Sequence, residues 1–571
     1  MPNDPWMKAV AGRPGNAPPV PSALPQAASF DGLRERFRWH VPHRFNIAEA
    51  CCDAWAAIAP DRPCLVHFDP LGGAVLVLTY GELKQRSEAL AVDMARRGVR
   101  TGDRVAILLP QGHDAAVAHM AIYRMGAVAV PLALLFGPEA LEHRLSISGA
   151  RAVVTNGDGA DRVRKAYPAV DTIYCTEGSH AGAIDMPAVL RSSERAEAAA
   201  TLADDPALMI FTSGTTGSPK GALHGHRVLI GHVPGVQTHH MPLPLDGDVL
   251  WTPADWAWAG GLLNVLLPGL LLGVPVVSSP PAKFDPEQAF AILERACVTR
   301  AFLPPTALRL MRRVEAPREH FALRLRTLGS GGEQLGRPTH DWAREVLGLT
   351  VNEFYGQTEC NLVLSGCAAM GVEDDHAIGR PVPGHDVAVI DTEGRPLARG
   401  EPGQIAVRRP DPVMFLEYWN RPEATAAKFV GDWMLTGDQG VEDERGYIHF
   451  SGRDDDIITS SGYRIGPGEI EDCLTAHPDV SLAAAVGKPD PLRTEIVKAY
   501  VVRRPGADAR DLAQRLRDHV KTRLSAHEYP REIEFVNELP MTTTGKVVRR
   551  TLRERAARDA AAMHRGTETP G

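Results

Sequence analysis

The chain has no CxxC pair, and its eight cysteines (Cys51, Cys52, Cys64, Cys175, Cys297, Cys360, Cys367 and Cys473) show no Cys/His spacing that would close a tetrahedral metal site. A zinc module and a disulfide framework are therefore excluded, and reduced thiols in a cytoplasmic setting are expected. Neither sign of charge dominates: Lys and Arg number 62 against 70 Asp and Glu, a net charge of −8. No basic block offers the footprint of a phosphate-backbone binder, so no nucleic-acid partner is expected. Long apolar runs are almost missing. The one candidate, residues 256–277, is interrupted by Asn264, Pro268 and Pro275 and ends in the β-branched Val274-Pro275-Val276-Val277. It reads as a helix followed by a buried strand, and no transmembrane segment is expected. Residues 1–30 hold seven Pro and six Ala without an apolar stretch behind a basic start. They predict a disordered extension, neither a secretory signal nor a helix. No repeat at solenoid or propeller spacing occurs.

What the chain does contain is ample core material: 571 residues, 44% apolar and 23% charged, enough for several folding units. Residues 83–97 carry apolar positions at helical spacing and stop at Gly98, before a buried strand over 104–109. The phrase recurs with a helix over 115–125, a stop at Gly126 and a strand over 127–131. Alternation of this kind predicts an α/β fold with doubly wound, mainly parallel sheets. From 378 to 450 short strands broken by Gly and Pro, such as 386–390 and 403–407, predict a β-barrel-like section. The charged run Arg453-Asp454-Asp455-Asp456 separates this large N-terminal domain (31–453) from a small, mobile α+β C-terminal domain (457–571), with 454–456 as linker. The last twenty residues read as a short helix and a frayed tail.

The chemistry centres on Phe211-Thr212-Ser213-Gly214-Thr215-Thr216-Gly217-Ser218-Pro219-Lys220-Gly221, which follows the apolar Ala207-Leu208-Met209-Ile210. A strand entering a loop of three glycines and five hydroxyls places backbone N–H groups where polyphosphate oxygens can sit. The exit Pro219-Lys220-Gly221 is not a Walker A ending, and Gly329-Ser330-Gly331-Gly332 does not complete GxGxxG.

This loop resembles the signature of the acyl-adenylate-forming (AMP-binding) superfamily, most like an acyl-CoA synthetase of medium-chain type. The resemblance spans about residues 45–551 and extends through Tyr355-Gly356-Gln357-Thr358-Glu359, Leu435-Thr436-Gly437-Asp438, Ser451-Gly452-Arg453-Asp454-Asp455-Asp456, Ser460-Ser461-Gly462-Tyr463-Arg464-Ile465-Gly466 and Met541-Thr542-Thr543-Thr544-Gly545-Lys546. It implies a ligase converting a carboxylic acid, ATP and CoA to acyl-CoA, AMP and pyrophosphate. Lys546, Thr215 and Glu359 are the implied catalytic residues. Glu359 is suited as a hard oxygen ligand to Mg²⁺. Nucleotide binding falls to Thr212, Ser213, Gly214, Thr215, Thr216, Gly217, Lys220, Gly331, Gly332, Glu333, Tyr355, Gly356, Gln357, Thr358, Asp438, Arg453, Arg464 and Lys546. Asp438 and Arg453 would take the ribose, and Gly331-Gly332-Glu333 and Tyr355 the adenine. Asp455 is the implied hinge, and Ser461 and Gly462 the implied CoA contacts.

For the acid, a bulky aromatic stands in acetate-specific relatives where Gly356 stands here. The expectation is an open apolar channel for a medium-chain or branched acid, with aromatic acids second. It would be lined by Trp256, Trp258 and Gly356, with Leu262 and Leu263 nearby. Asp255 reads as a helix N-cap, or as a partner for a substrate amino group. CoA is the expected acceptor, with transfer to a separate carrier protein as the alternative. A luciferase-like oxidase shares the first half-reaction, and a nucleotide-binding regulator without turnover would be expected to lack Lys546 or Glu359. Oligomeric state is not legible from the sequence.

Overall fold

The computed structural model describes residues 5–10, 12, 14–69, 75–212, 219–279, 284–333, 335–374, 376–453, 456–460, 463–490, 493–508, 510–524, 529–542 and 546–566. One sheet of the large domain runs Glu417–Tyr418, Lys220–Gly225, Pro206–Thr212, Val128–Pro131, Arg104–Leu108, Ala152–Thr155, Thr172–Cys175 and Ile184–Asp185. From Pro206–Thr212 onward its neighbours are parallel. The strands Val128–Pro131 and Ala152–Thr155 are buried along their whole length, as crossover helices on both faces require.

The helix predicted over 83–97 spans Tyr80–Arg96 and starts earlier than its apolar periodicity suggests. Thr79 and Glu82 form a reciprocal capping box that satisfies the first-turn N–H groups. It ends before Gly98, whose φ of +91° suits glycine.

The second sheet has nine strands: Arg380–Pro381, Leu364–Ser365, Val351–Tyr355, Thr327–Gly331, Arg300–Phe302, Leu250–Trp251, Val276–Ser278, Pro63–Phe68 and Val75–Thr79. The apolar run 256–277 becomes the helical segments Ala259–Gly261, Leu262–Leu266 (a π turn) and Leu267–Leu272, then the buried strand Val276–Ser278. Among the described residues no helix is long and apolar enough to cross a membrane. Residues 387–453 form a five-stranded antiparallel sheet. Among the described residues its outer strands do not pair with each other, so the barrel-like section is an open sheet there.

The small domain packs Pro467–Thr475, Leu512–Arg523 and Arg549–Gly566 around a sheet ordered Tyr463–Ile465, Ile458–Ser460, Thr494–Arg503 and Val480–Asp490, with Glu532–Val536 alongside Thr494–Arg503. The terminal helix is longer than predicted and is tied to the sheet through Lys498, which pairs with Asp559 at 2.6 Å.

The expectation of a disordered residue 1–30 extension is corrected where that segment is described. The helix Pro5–Val10 buries Trp6 in the core cluster containing Val66, Phe68 and Phe290. The Leu24 N–H donates to Gln237 Oε1 at 2.8 Å, and Ser22 Oγ donates to the His40 carbonyl. Two buried aromatics, Trp6 and Phe30, and a few long-range hydrogen bonds anchor the segment without any periodic pattern to announce it.

Candidate active site

The strand Pro206–Thr212 and the returning strand Lys220–Gly225 pair in antiparallel register, with Thr212 opposite Lys220. This hairpin holds both ends of the glycine loop at the edge of a cleft of about 2240 Å³ that runs between the two domains. Ser213, Gly214, Thr215, Thr216 and Gly217 lie outside the described residues. Thr212 and Lys220 line the cleft.

Two parallel strands, Thr327–Gly331 and Val351–Tyr355, end side by side, with Gly331 opposite Phe354. Their carboxyl ends present Gly332, Gly356 and Glu359 to the cleft, the usual position of ligands in open α/β sheets. A Cβ at Gly331 would lie 2.6 Å from the Phe354 carbonyl oxygen, and Gly332 has φ +98°, so the close turn requires glycines. Glu333 turns its carboxylate to Arg309, at 3.0 Å, and to Thr306.

Glu359 lines the cleft at only 7% exposure. The Tyr418 hydroxyl donates to its Oε1, and Lys220 Nζ stands 5.0 Å from the centroid of the same tyrosine ring. Asp438 is likewise buried: Tyr355 donates to its Oδ2 at 2.5 Å and Gln357 Nε2 at 3.3 Å. Burial and the Asp438 carboxylate push the Tyr355 phenol well above its ordinary pKa, so it stays a donor. Lys428 Nζ donates to Gln357 Oε1, completing a chain of four side chains. The backbone of Asp438 stands opposite that of Arg453 in the register of strands Trp433–Glu442 and Ile448–Arg453. Thr358 lines the cleft with them.

Lys546 enters this cleft from the small domain. Its N–H donates to Thr542 Oγ1 at 3.0 Å and its carbonyl accepts from Thr542 N–H at 2.7 Å, which ties the loop into a tight turn. Its Nζ lies 6.0 Å from the Trp258 ring centroid, and its Cε is 4.0 Å from a Cβ built on Gly332. Asp455, Ser461 and Gly462 lie outside the described residues. Asp456, next to the expected hinge, pairs with Arg553 of the small domain at 3.3 Å. The backbone of Arg464 lies opposite Thr459 in the small-domain sheet.

The acyl end differs from expectation in three places. Trp256 is 2% exposed and belongs to the central core; it does not line the cleft, whereas Trp258 does. Leu262 and Leu263 are likewise core residues. Trp256→Ala is expected to lower stability by about 3–5 kcal/mol through cavity formation. Trp258→Ala is expected to leave the unfolding temperature nearly unchanged while raising the KM for the acid; thermal unfolding beside exchange kinetics separates the two.

Gly356 lines the cleft, but a Cβ there would fall 1.1 Å from the Asn361 carbonyl oxygen. Its missing side chain therefore makes room for backbone, so an aromatic at 356 would displace the 361–362 segment before it could shorten a pocket. Asp255 is not an N-cap. Its carboxylate accepts from the Ala257 N–H at 2.9 Å within a turn, while Trp258 begins the helix, and burial raises its pKa.

Sequence reasoning missed Tyr418, Lys428, Asn264 and Asn361. Each stands in the site through tertiary packing, and none belongs to a local motif that could have marked it.

The family model described as AMP-binding enzyme matches residues 52–419, and that described as AMP-binding enzyme C-terminal domain matches 469–546. The mitochondrial acyl-coenzyme A synthetase ACSM2 of Rattus norvegicus is 34% identical over 534 residues, covering 90% of this chain and 92% of that one. The uncharacterized acyl-CoA ligase YtcI of Bacillus subtilis is 33% identical, with 84% and 90% covered. Among solved structures, a Brucella canis acyl-CoA synthetase matches with TM-score 0.73 at 33% identity, covering 93% of this chain and 99% of its own. An anthranilate CoA ligase, AuaEII, in complex with anthranoyl-AMP matches with TM-score 0.84 at 26% identity, covering 91% and 99%. With Thr212 and Lys220 at the ends of the glycine-loop hairpin, the carboxylates of Glu359 and Asp438 and the inserted Lys546 gathered at one interdomain cleft, the chain belongs to the AMP-binding, adenylate-forming enzyme family and groups with its acyl-CoA synthetases.

Proposed function

We propose that the protein is an ATP-dependent acid–thiol ligase that makes acyl-CoA through an acyl-adenylate. The observation that carries this reading is the position of Lys546, a cation of the small domain placed at the glycine turn Gly331-Gly332 of the large one. In the first step a carboxylate oxygen attacks the α-phosphorus of ATP. The bond to the bridging oxygen breaks and pyrophosphate leaves. Two anions must meet, and Lys546 Nζ offsets the charge that builds up between them.

Thr212, Lys220 and the glycine loop receive the phosphates. Asp438, aligned by Tyr355 and Gln357, takes the ribose together with Arg453. The buried carboxylate of Glu359, oriented by Tyr418, is a hard oxygen donor that fits Mg²⁺, which when bound would screen the phosphate charge. Tyr355 and the turn at Gly331 hold the adenine; Glu333 contributes through its backbone, because its carboxylate is engaged by Arg309.

In the second step the thiol of CoA attacks the acyl carbonyl and AMP leaves. Lys546 occupies the cleft in this arrangement, so the small domain rotates about Asp455 and brings the Ser461-Gly462 face to the large domain. The names of the relatives, acyl-CoA synthetases and ligases, support CoA over a carrier protein as acceptor. None of the eight cysteines, all of them buried, is in a disulfide, which suits a reducing compartment such as the cytoplasm.

Incubation with ATP, Mg²⁺ and a panel of carboxylic acids is expected to give acid-dependent exchange of labelled pyrophosphate into ATP, and added CoA to release AMP stoichiometrically with thioester. Exchange with no acid would remove the proposal. Exchange without CoA-dependent AMP release would move it to carrier-protein loading.

A further inference from the structure

The acyl end of the cleft is less apolar than its flanking sequence suggests. Asn264 is the single polar side chain of the π turn Leu262–Leu266, whose other members are fully buried in the core. Asn264 lines the cleft at 4% exposure, and its Oδ1 has no hydrogen-bond partner among the described residues. Asn361 lines the same cleft at 6% exposure, and its Nδ2 is likewise unpartnered. Both stand near the helix Val228–His239. The π turn packs against that helix, and Leu362, next to Asn361, contacts its Gly235. His232, on the same helix, also lines the cleft.

A buried carboxamide atom left unpaired is costly, and native proteins rarely tolerate two at one site without a partner to receive them. The backbone adds a second mark. Asn361 has φ +40°, a left-handed conformation that asparagine tolerates better than other residues with a side chain, and π turns inside helices recur at functional sites. One amide offers an acceptor and the other a donor. A hydroxyl satisfies both, since its O–H donates to Asn264 Oδ1 while its oxygen accepts from Asn361 Nδ2. A plain hydrocarbon satisfies neither and leaves both desolvated.

The geometry points to a hydroxy-substituted carboxylic acid as the preferred substrate, its hydroxyl held between Asn264 and Asn361. This rests on the ligase function proposed above and names the class of acid that function takes.

The test uses the full-length protein and acids paired by size: octanoate against 7- and 8-hydroxyoctanoate, and benzoate against 3- and 4-hydroxybenzoate, each followed by pyrophosphate exchange. In at least one pair the hydroxylated member is expected to have a kcat/KM about 10-fold or more above its plain partner. Asn264→Leu and Asn361→Gly are each expected to reduce that ratio about 10-fold. Asn361→Gly suits the positive φ, so it tests the amide without straining the backbone. Preference for the plain acid in every pair would overturn the inference and leave the ligase reading standing. So would a hydroxyl preference that neither variant alters. Exchange with none of the acids would overturn the ligase reading and this inference with it.

Discussion

Lys546→Ala is expected to slow acyl-adenylate formation about 10²–10³-fold, the usual cost of removing one charge-stabilising group from a phosphoryl or acyl transfer site. Thioester formation from a supplied acyl-adenylate and CoA is expected to survive at near-parental rate. The asymmetry follows from position. Lys546 reaches the cleft only because its loop, held by the reciprocal Thr542 hydrogen bonds, docks beside Trp258 and Gly332. In the second half-reaction that loop must be elsewhere, since the same space has to admit a thiol. Single-turnover measurement of each half-reaction reads the two effects separately. Equal damage to both would defeat the domain alternation, and no damage to the first would remove Lys546 from the chemistry.

The second large effect expected is acid unfolding well above the pH at which carboxylates protonate. His119, His224, His232 and His239 are buried, and desolvation lowers each to a pKa of about 3; burial lowers His113 and His226 to about 4. Their surroundings add to this. His224 lies near Arg227, and His232 near His385, His224 and His239. The folded state therefore holds these rings neutral, while the unfolded chain takes up protons below about pH 6.5. Their contribution to stability is complete above that pH and is lost progressively as pH falls toward their folded pKa values.

Each such histidine costs about 2 kcal/mol between pH 6.5 and 5, so four cost about 8 kcal/mol, comparable to the whole stability of a typical domain. Unfolding temperature is expected to drop steeply from pH 7 to 5 and to change little from 7 to 8. His119→Leu removes one site of proton uptake and is expected to shift the acid midpoint downward. A midpoint below pH 4, or one indifferent to His119, would refute the account.

How much of the site could be read along the chain depended on how local each element is. The hairpin bearing the glycine loop was legible because a strand, a turn rich in glycine and hydroxyls and a returning strand are consecutive; Thr212 and Lys220 face each other as that order requires. Glu359 and Asp438 were legible as motif carboxylates, but their environment was not. Tyr418, which orients Glu359, lies 59 positions away, and Tyr355 reaches Asp438 across 83. The same limit explains Glu333, whose carboxylate is taken by Arg309 on a separate helix. It also explains the ordered segment around Trp6 and Leu24, where scattered long-range contacts replace periodicity.

Sequence order by itself determined the two-domain α/β plan and the strand–turn–strand order around the glycine loop, because backbone geometry at turns and hydrophobic periodicity are set within a few residues; Glu359, Asp438 and Lys546 were singled out by the resemblance of their motifs. Tertiary packing alone decided which of two neighbouring tryptophans faces the cleft. It also decided why residue 356 must be glycine, and that Asn264 and Asn361 both line the cleft with a buried, unpartnered amide atom. Those outcomes depend on how helices and strands hundreds of residues apart are pressed together, and a side chain's burial or exposure to the cleft is a property of that contact.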